Sequence, residues 1–251
     1  MSLARVGRTL ALAAGISSAL ALATSAATAA VPSVSGAFTP IPGAVGHFRV
    51  KPLKLTTDVT IAQADGQNGV LRRLELRLPS NFHFNTRDFP ACTVARVNSP
   101  ASFDACPLGS AVGRGDVIVD VPAAGLTDVA GKIVAFNGGR SNTFAFNIYT
   151  ATPVVVNTAF PAKLRRTRGR YGYTLTANLP SALQQIGEAG WPYQIKRIRF
   201  GFDGLWRGRP YTEVRSCPKS GRTAIAGSFQ FAGTAVAPTE TVGTVSCRPA
   251  K

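Results

Sequence analysis

The chain has 251 residues, a formal net charge of +16, four cysteines and two histidines. Its length is ample for a full hydrophobic core. With no Cys-x-x-Cys and only His47 and His83, the usual zinc spacings are excluded, and no cofactor motif occurs.

Residues 1–30 read as a secretory signal peptide. Arg5 and Arg8 form a positive n-region, and Leu10 to Ala23 is an apolar run. Small-residue cleavage sites follow at Ala27-Thr28-Ala29 and Thr28-Ala29-Ala30. The run is too short for a bilayer span of ~20 residues. No twin-arginine pair is present, so a Sec-type route is expected. No later stretch reaches ~18 apolar residues. The reading is therefore a mature chain of residues 31–251, secreted or associated with the cell wall, without a transmembrane anchor. Loss of Arg5 and Arg8 leaves a net charge of +14. Such a charge draws a protein to polyanions, although an arginine-, alanine- and glycine-rich composition alone would also produce it.

In the mature chain, alternation at period two recurs in segment after segment. Leu53, Leu55, Val59 and Ile61 alternate with polar residues. A turn at Ala64 to Gly69 leads to Leu74, Leu76 and Leu78, which predicts a hairpin with one apolar face. Val117, Val119 and Val121 mark another strand. Ile133 to Phe136, the turn Asn137-Gly138-Gly139 and Phe144, Phe146 and Ile148 predict a second hairpin. Val154 to Val156 is a short apolar run. Strands follow at Tyr171 to Leu179, Ile198 to Phe202, Ile225 to Phe231 and Thr241 to Ser246. Ser181 to Glu188 is the one plausible helical turn. About ten strands with turn signals and almost no helical period predict an all-β, antiparallel β-sandwich, Ig-like or jelly-roll-like. It is read as one domain, with a division near residues 122–128 as the alternative.

Four cysteines in an oxidising compartment predict two disulfides. Three connectivities are open. The simplest joins neighbours, Cys92 to Cys106 and Cys217 to Cys247, for roughly 3 and somewhat under 4 kcal/mol of chain-entropy stabilisation. Gly113 and Gly115 allow a positive φ or a bulge before the strand at Val117.

The stretch Phe89-Pro90-Ala91-Cys92 … Cys106-Pro107-Leu108-Gly109-Ser110-Ala111-Val112-Gly113-Arg114-Gly115 resembles uncharacterised secreted actinobacterial β-proteins with a P-x-C … C-P-x-x-S-x-x-G-x-G pattern. Cys217-Pro218, Gly227-Ser228-Phe229 and Cys247 fit the tail of that pattern. The resemblance implies an exported, disulfide-bearing β-protein and assigns no catalytic residue.

The strongest charged feature is the run from Lys163 to Arg170. Lys163, Arg165, Arg166, Arg168 and Arg170 are basic, and Tyr171 and Tyr173 follow. Arginine pairs bidentately with phosphate or carboxylate, and a tyrosine can stack on a sugar. These five residues are the candidate polyanion site, against the alternative of a solvated hairpin loop. Lys196 to Arg199 and Trp206 to Arg209 would extend the patch if they fold nearby. The expected partner is an anionic wall polymer or acidic polysaccharide; nucleic acid is disfavoured because an exported protein seldom meets it.

Other features read more blandly. Arg114-Gly115-Asp116 spells an adhesion tripeptide, but three-residue matches are common by chance. Trp191 and Trp206 would make a sugar platform only if they shared a face. In a strand, His83 points away from Phe82 and Phe84, at a surface or edge, and no Gly-x-Ser-x-Gly occurs. The sequence therefore points to a non-enzymatic cell-envelope binding or structural module, with an extracellular hydrolase of polysaccharide or lipid as the alternative.

Overall fold

The computed structural model describes residues 31–44, 52–62, 69–100, 102–139, 142–153, 155–186, 190–232 and 238–247. The predicted signal sequence over residues 1–30, His47, residues 64–68 of the first turn and Val154 of the short apolar run lie outside them. Eleven strands form one sheet, numbered in chain order: β1 (Val31–Pro40), β2 (Leu53–Ala62), β3 (Leu71–Pro79), β4 (Ala111–Val121), β5 (Leu126–Asn137), β6 (Thr143–Thr150), β7 (Val156–Arg166), β8 (Tyr171–Asn178), β9 (Gln194–Gly201), β10 (Arg222–Phe231) and β11 (Thr239–Ser246).

The sheet is a closed barrel with strand order β1-β11-β10-β3-β8-β7-β6-β5-β4-β9-β2. The all-β class and both disulfides agree with the sequence reading, but the sandwich does not. A sandwich and a barrel share the same alternation, because either way each strand has one buried face. What separates them is whether the outermost strands find each other, and here β1 pairs with β11.

That junction is parallel, with Gly36 opposite Val245, whereas every other barrel pairing is antiparallel. An odd ring cannot reverse direction at every step, so one junction must be parallel. The backbones approach closely there, and a Cβ on Gly243 would collide with the carbonyl oxygen of Val34.

The inward rows are apolar. Leu53, Leu55, Val59 and Ile61 of β2 are buried while the residues between them are partly or fully exposed, apart from Thr57. The expected hairpin between β2 and β3 does not form. β2 pairs with β1 and β9, and β3 with β10 and β8. Alternation fixes which face is buried but not which strand lies alongside. The β5–β6 hairpin does form, with Ile133 opposite Ile148. Residues 122–124 form a 3-10 turn between β4 and β5, which pair in the same barrel.

The upper mouth is covered by a two-stranded ribbon, Phe82–Phe84 against Thr212–Val214. Phe84 meets Phe202 at 5.0 Å, Tyr173 at 5.3 Å and Phe144 at 6.0 Å, all edge-on. Each such contact contributes ~0.5–1.5 kcal/mol beyond area burial. The lower mouth is closed by the 3-10 turn Ser181–Leu183, which buries Leu183, and by Tyr193. The expected helical turn over 181–188 is only this one turn. Gln185–Ile186 then pairs with Trp191–Pro192, while residues 187–189 lie outside the described residues.

The disulfides join neighbours, Cys92 to Cys106 and Cys217 to Cys247. The first closes a short segment that lies on the outside of the barrel, where Cys92 and Val97 pack on Phe136, Ala145 and Ala159. Asn98 completes this attachment. Its side chain bonds both backbone groups of Ala159, at 3.1 and 2.8 Å, along a part of β7 that β8 does not reach. Gly113 sits at the predicted bulge, where the β4–β5 register shifts after Ala111.

Two tyrosines are buried at opposite ends, Tyr211 above and Tyr193 below. Burial pushes both phenols above the ordinary value of 10.0. The folded state therefore holds these protons more tightly than the unfolded chain. Stability should be fully present below about pH 10 and should fall as pH rises toward the raised values, with a limiting slope of about 1.4 kcal/mol per pH unit for each phenol. Urea midpoints at pH 9 and 11 test this; Tyr193→Phe should flatten the decline.

Candidate anion-binding cleft at the barrel mouth

The basic run is divided by the strand that carries it. Phe160, Ala162 and Leu164 of β7 face inward and are buried, and Arg166 continues that row at the rim. Lys163 and Arg165 are exposed on the alternate, outer face of the strand. Arg168 and Arg170 are exposed in the turn, with the Arg170 guanidinium 5.7 Å from the ring of Tyr171. Thr167 holds the turn by donating its backbone N–H to Gly172 O (2.9 Å) and its hydroxyl to Tyr171 O (3.0 Å). The five basic residues thus surround the hairpin rather than forming a single cluster.

Arg166 lines a cleft of 660 Å³ at the upper mouth. Its walls come from three separate parts of the chain. The ribbon strand Phe82–Phe84 and the following turn contribute His83, Asn85, Arg87 and Asp88; the β7–β8 rung contributes Arg166 and Tyr173; the return strand contributes Glu213 and Arg215. A smaller hollow of 100 Å³ lies alongside and shares His83, Arg166, Tyr173 and Arg215.

The cleft walls are held from behind. Asn85 donates its backbone N–H to Tyr211 O (2.8 Å) and its side-chain amide to Pro210 O (2.9 Å). The Arg215 backbone N–H donates to Asn81 O at 3.0 Å. His83 alternates with buried Phe82 and Phe84, as expected, so it faces the cleft. Its Nδ1 lies 3.2 Å from the Tyr173 hydroxyl. Glu213 stands opposite His83 in the ribbon and is buried. Asp88 forms an ion pair with Arg209 at 3.5 Å.

Arg87, Arg166 and Arg215 all line this one cavity. Among the described residues, none of the three forms an ion pair with a carboxylate. A guanidinium can donate paired N–H bonds to two oxygens of a carboxylate, sulfate or phosphate. The His83–Tyr173 contact adds a donor or acceptor at the floor.

The outer wall differs. Lys196 pairs with Asp128 at 2.7 Å and with Asp120 at 3.5 Å, Arg197 with Asp58, and Lys132 with Asp116 at 2.6 Å. β9 is separated from β7 by β6, β5 and β4, so Lys196 to Arg199 does not extend the hairpin patch. Arg209 does reach the mouth, through Asp88, while Arg207 stacks on Trp206 at 5.3 Å.

Two further sequence features resolve as structure. Arg114-Gly115-Asp116 lies inside β4, paired on both sides by β5 and β9. A Cβ on Gly115 would strike the carbonyl of Arg199, so glycine is required for strand packing and the tripeptide forms no adhesion loop. Trp191 precedes β9 and Trp206 follows it. They lie at opposite ends of the barrel and form no common platform. Sequence reasoning missed Glu213, Arg215 and Arg87; the parity of Arg166 with Leu164 was the readable signal for its inward position.

No family model matches the chain, and no curated protein matches it. Among solved structures, AvmM, which catalyzes macrocyclization in alchivemycin A biosynthesis, is similar over 88% of this chain and 91% of its own. The TM-score is 0.26 and the identity 6%, a likeness too slight to bear on function.

Proposed function

We propose that this protein is an exported, non-enzymatic binding module for an anionic extracellular polymer, such as a wall polymer or acidic polysaccharide. On this reading the barrel mouth takes the anionic groups. The observation that carries the reading is the convergence of Arg87, Arg166 and Arg215 on one 660 Å³ cleft. The exposed Lys163, Arg165, Arg168 and Arg170 beside it would attract the rest of the chain. One anionic group sits in the cleft while its neighbours along the polymer pass over the hairpin. Export is supported by the signal-like first 30 residues and by two disulfides.

Binding to polygalacturonate and to polyphosphate, measured by calorimetry at increasing NaCl, tests the proposal. A hydrogen bond to a charged group contributes ~1.5–3 kcal/mol. Arg166→Gln with Arg215→Gln should therefore weaken binding at least about tenfold at about 50 mM NaCl. Loss of affinity with salt should be steep for the wild type and shallower for the double variant. Equal affinity of both proteins would refute the assignment to the cleft.

A further inference from the structure

The cleft at the upper mouth holds a group whose charge changes with pH. His83 lines both the 660 Å³ cleft and the 100 Å³ hollow beside it, together with Arg166, Tyr173 and Arg215. It is the one histidine among the described residues. Of the side-chain types lining the two spaces, imidazole alone ordinarily changes charge between about pH 5 and 8.

The ribbon fixes where this imidazole stands. Phe82 and Phe84 are buried on one face, so His83 faces the other. Glu213 lies directly opposite in the ladder. Cross-strand neighbours on one face have Cβ atoms only about 4.5–5.5 Å apart. The Tyr173 hydroxyl lies 3.2 Å from Nδ1. A hydroxyl both donates and accepts, so this contact serves both charge states. The phenol donates to a bare Nδ1, and a protonated Nδ1 donates to the phenol oxygen. Arrival of a proton reverses the bond, leaves the ring in place and frees the phenol hydrogen for another acceptor. The neutral ring has one N–H donor and the charged ring has two.

The charges around the ring oppose one another. Arg87, Arg166 and Arg215 disfavour a positive imidazole, while Glu213 and Asp88 favour it. Tyr171 and Tyr173 complete the titratable lining. An anion seated among the arginines adds negative charge and tips this balance toward the imidazolium.

We infer that His83 is a proton-dependent ligand for the anion, so that the cleft takes up a proton together with its anionic group. This rests on the cleft being the anion site. Coupling is reciprocal: whatever factor the proton adds to anion affinity, the anion adds to proton affinity. The gain is present when the imidazole is charged and is lost as pH rises through its titration. About tenfold is expected, the factor that corresponds to a change of one in pKa.

Calorimetry with polygalacturonate at about 50 mM NaCl tests this, because its carboxylates stay ionised from about pH 5.5 to 8. Binding should be about tenfold tighter at the lower pH. Near pH 6.5, repeating the titration in two buffers of different ionisation enthalpy should show uptake of a fraction of a proton. His83→Gln should bind with one affinity at both pH values and take up no proton; His83→Asn serves if that variant does not fold. Polymer binding by the wild type with equal affinity at both pH values overturns the inference and leaves the cleft assignment standing. The same pH dependence in wild type and variant also overturns it, since another group then titrates. Absence of binding at either pH refutes the cleft assignment and this inference with it.

Discussion

Replacing Asn137 by alanine is expected to destabilise the protein by about 4 kcal/mol, because one side chain satisfies several buried polar groups at once. The residue is fully buried at the end of β5. The two hydrogens of its side-chain amide are shared among three carbonyls, Thr86 O at 3.0 Å, Phe89 O at 2.9 Å and Pro90 O at 3.2 Å. Its Oδ1 accepts from the Tyr211 hydroxyl at 3.2 Å. Its backbone bonds Ser110 O and the Cys92 N–H, both at 2.8 Å. Asn137 thus ties the 86–90 segment, which walls the cleft, to the barrel rim. Alanine strands its partners at ~1–3 kcal/mol each, partly recovered by relaxation. Tyr211→Phe removes a single bond and should cost only about 1 kcal/mol. It should cost still less in the Asn137→Ala background, because the two share one network. Urea unfolding of the four proteins measures both terms; full additivity would show that the network does not act as a unit.

The second large effect is expected at Cys217–Cys247. The bridge closes a loop with a sequence separation of 30, for which the chain-entropy model gives somewhat under about 4 kcal/mol. Cys247 is buried directly after β11, and its N–H donates to Gly221 O at 2.8 Å. The bond therefore holds together the β10–β11 pair that completes the ring. Cys217→Ala with Cys247→Ala should lower the urea midpoint more than the corresponding change at Cys92 and Cys106, whose loop separation is 14 and whose model value is about 3 kcal/mol. An equal or smaller drop would mean that loop length does not govern the difference.

The strands are legible in the sequence because burial on one face imposes a period of two, as in Leu53, Leu55, Val59 and Ile61. The disulfide pairing that forms is the simplest of the three possible. Closure is not legible. It depends on β1 meeting β11, with Gly36 opposite Val245, and no local pattern reports a contact across two hundred residues. The cleft is half legible for the same reason. Arg166 belongs to a visible basic run, but its place in the cleft comes from its phase with Leu164 and from neighbours far away in sequence. Glu213 lies in Tyr211-Thr212-Glu213-Val214, all buried, where nothing local separates a cleft residue from core. The alternation around His83 is plain in the sequence, yet the ribbon that turns its polar side toward Tyr173 is not.

The parallel junction also constrains when the ring can exist. β1 finds β2 early, but its second neighbour is the final strand of the barrel. A chain synthesised or translocated from its N-terminus is therefore an open sheet until β11 arrives. Until then the unpaired backbone of β1 on one side, and of β10 on the other, can recruit strands from other molecules. Contacts this distant in sequence also form slowly. Aggregation risk is thus concentrated in the interval before β11 docks, and the Cys217–Cys247 bond, formed at that step, makes the sealed state hard to reopen.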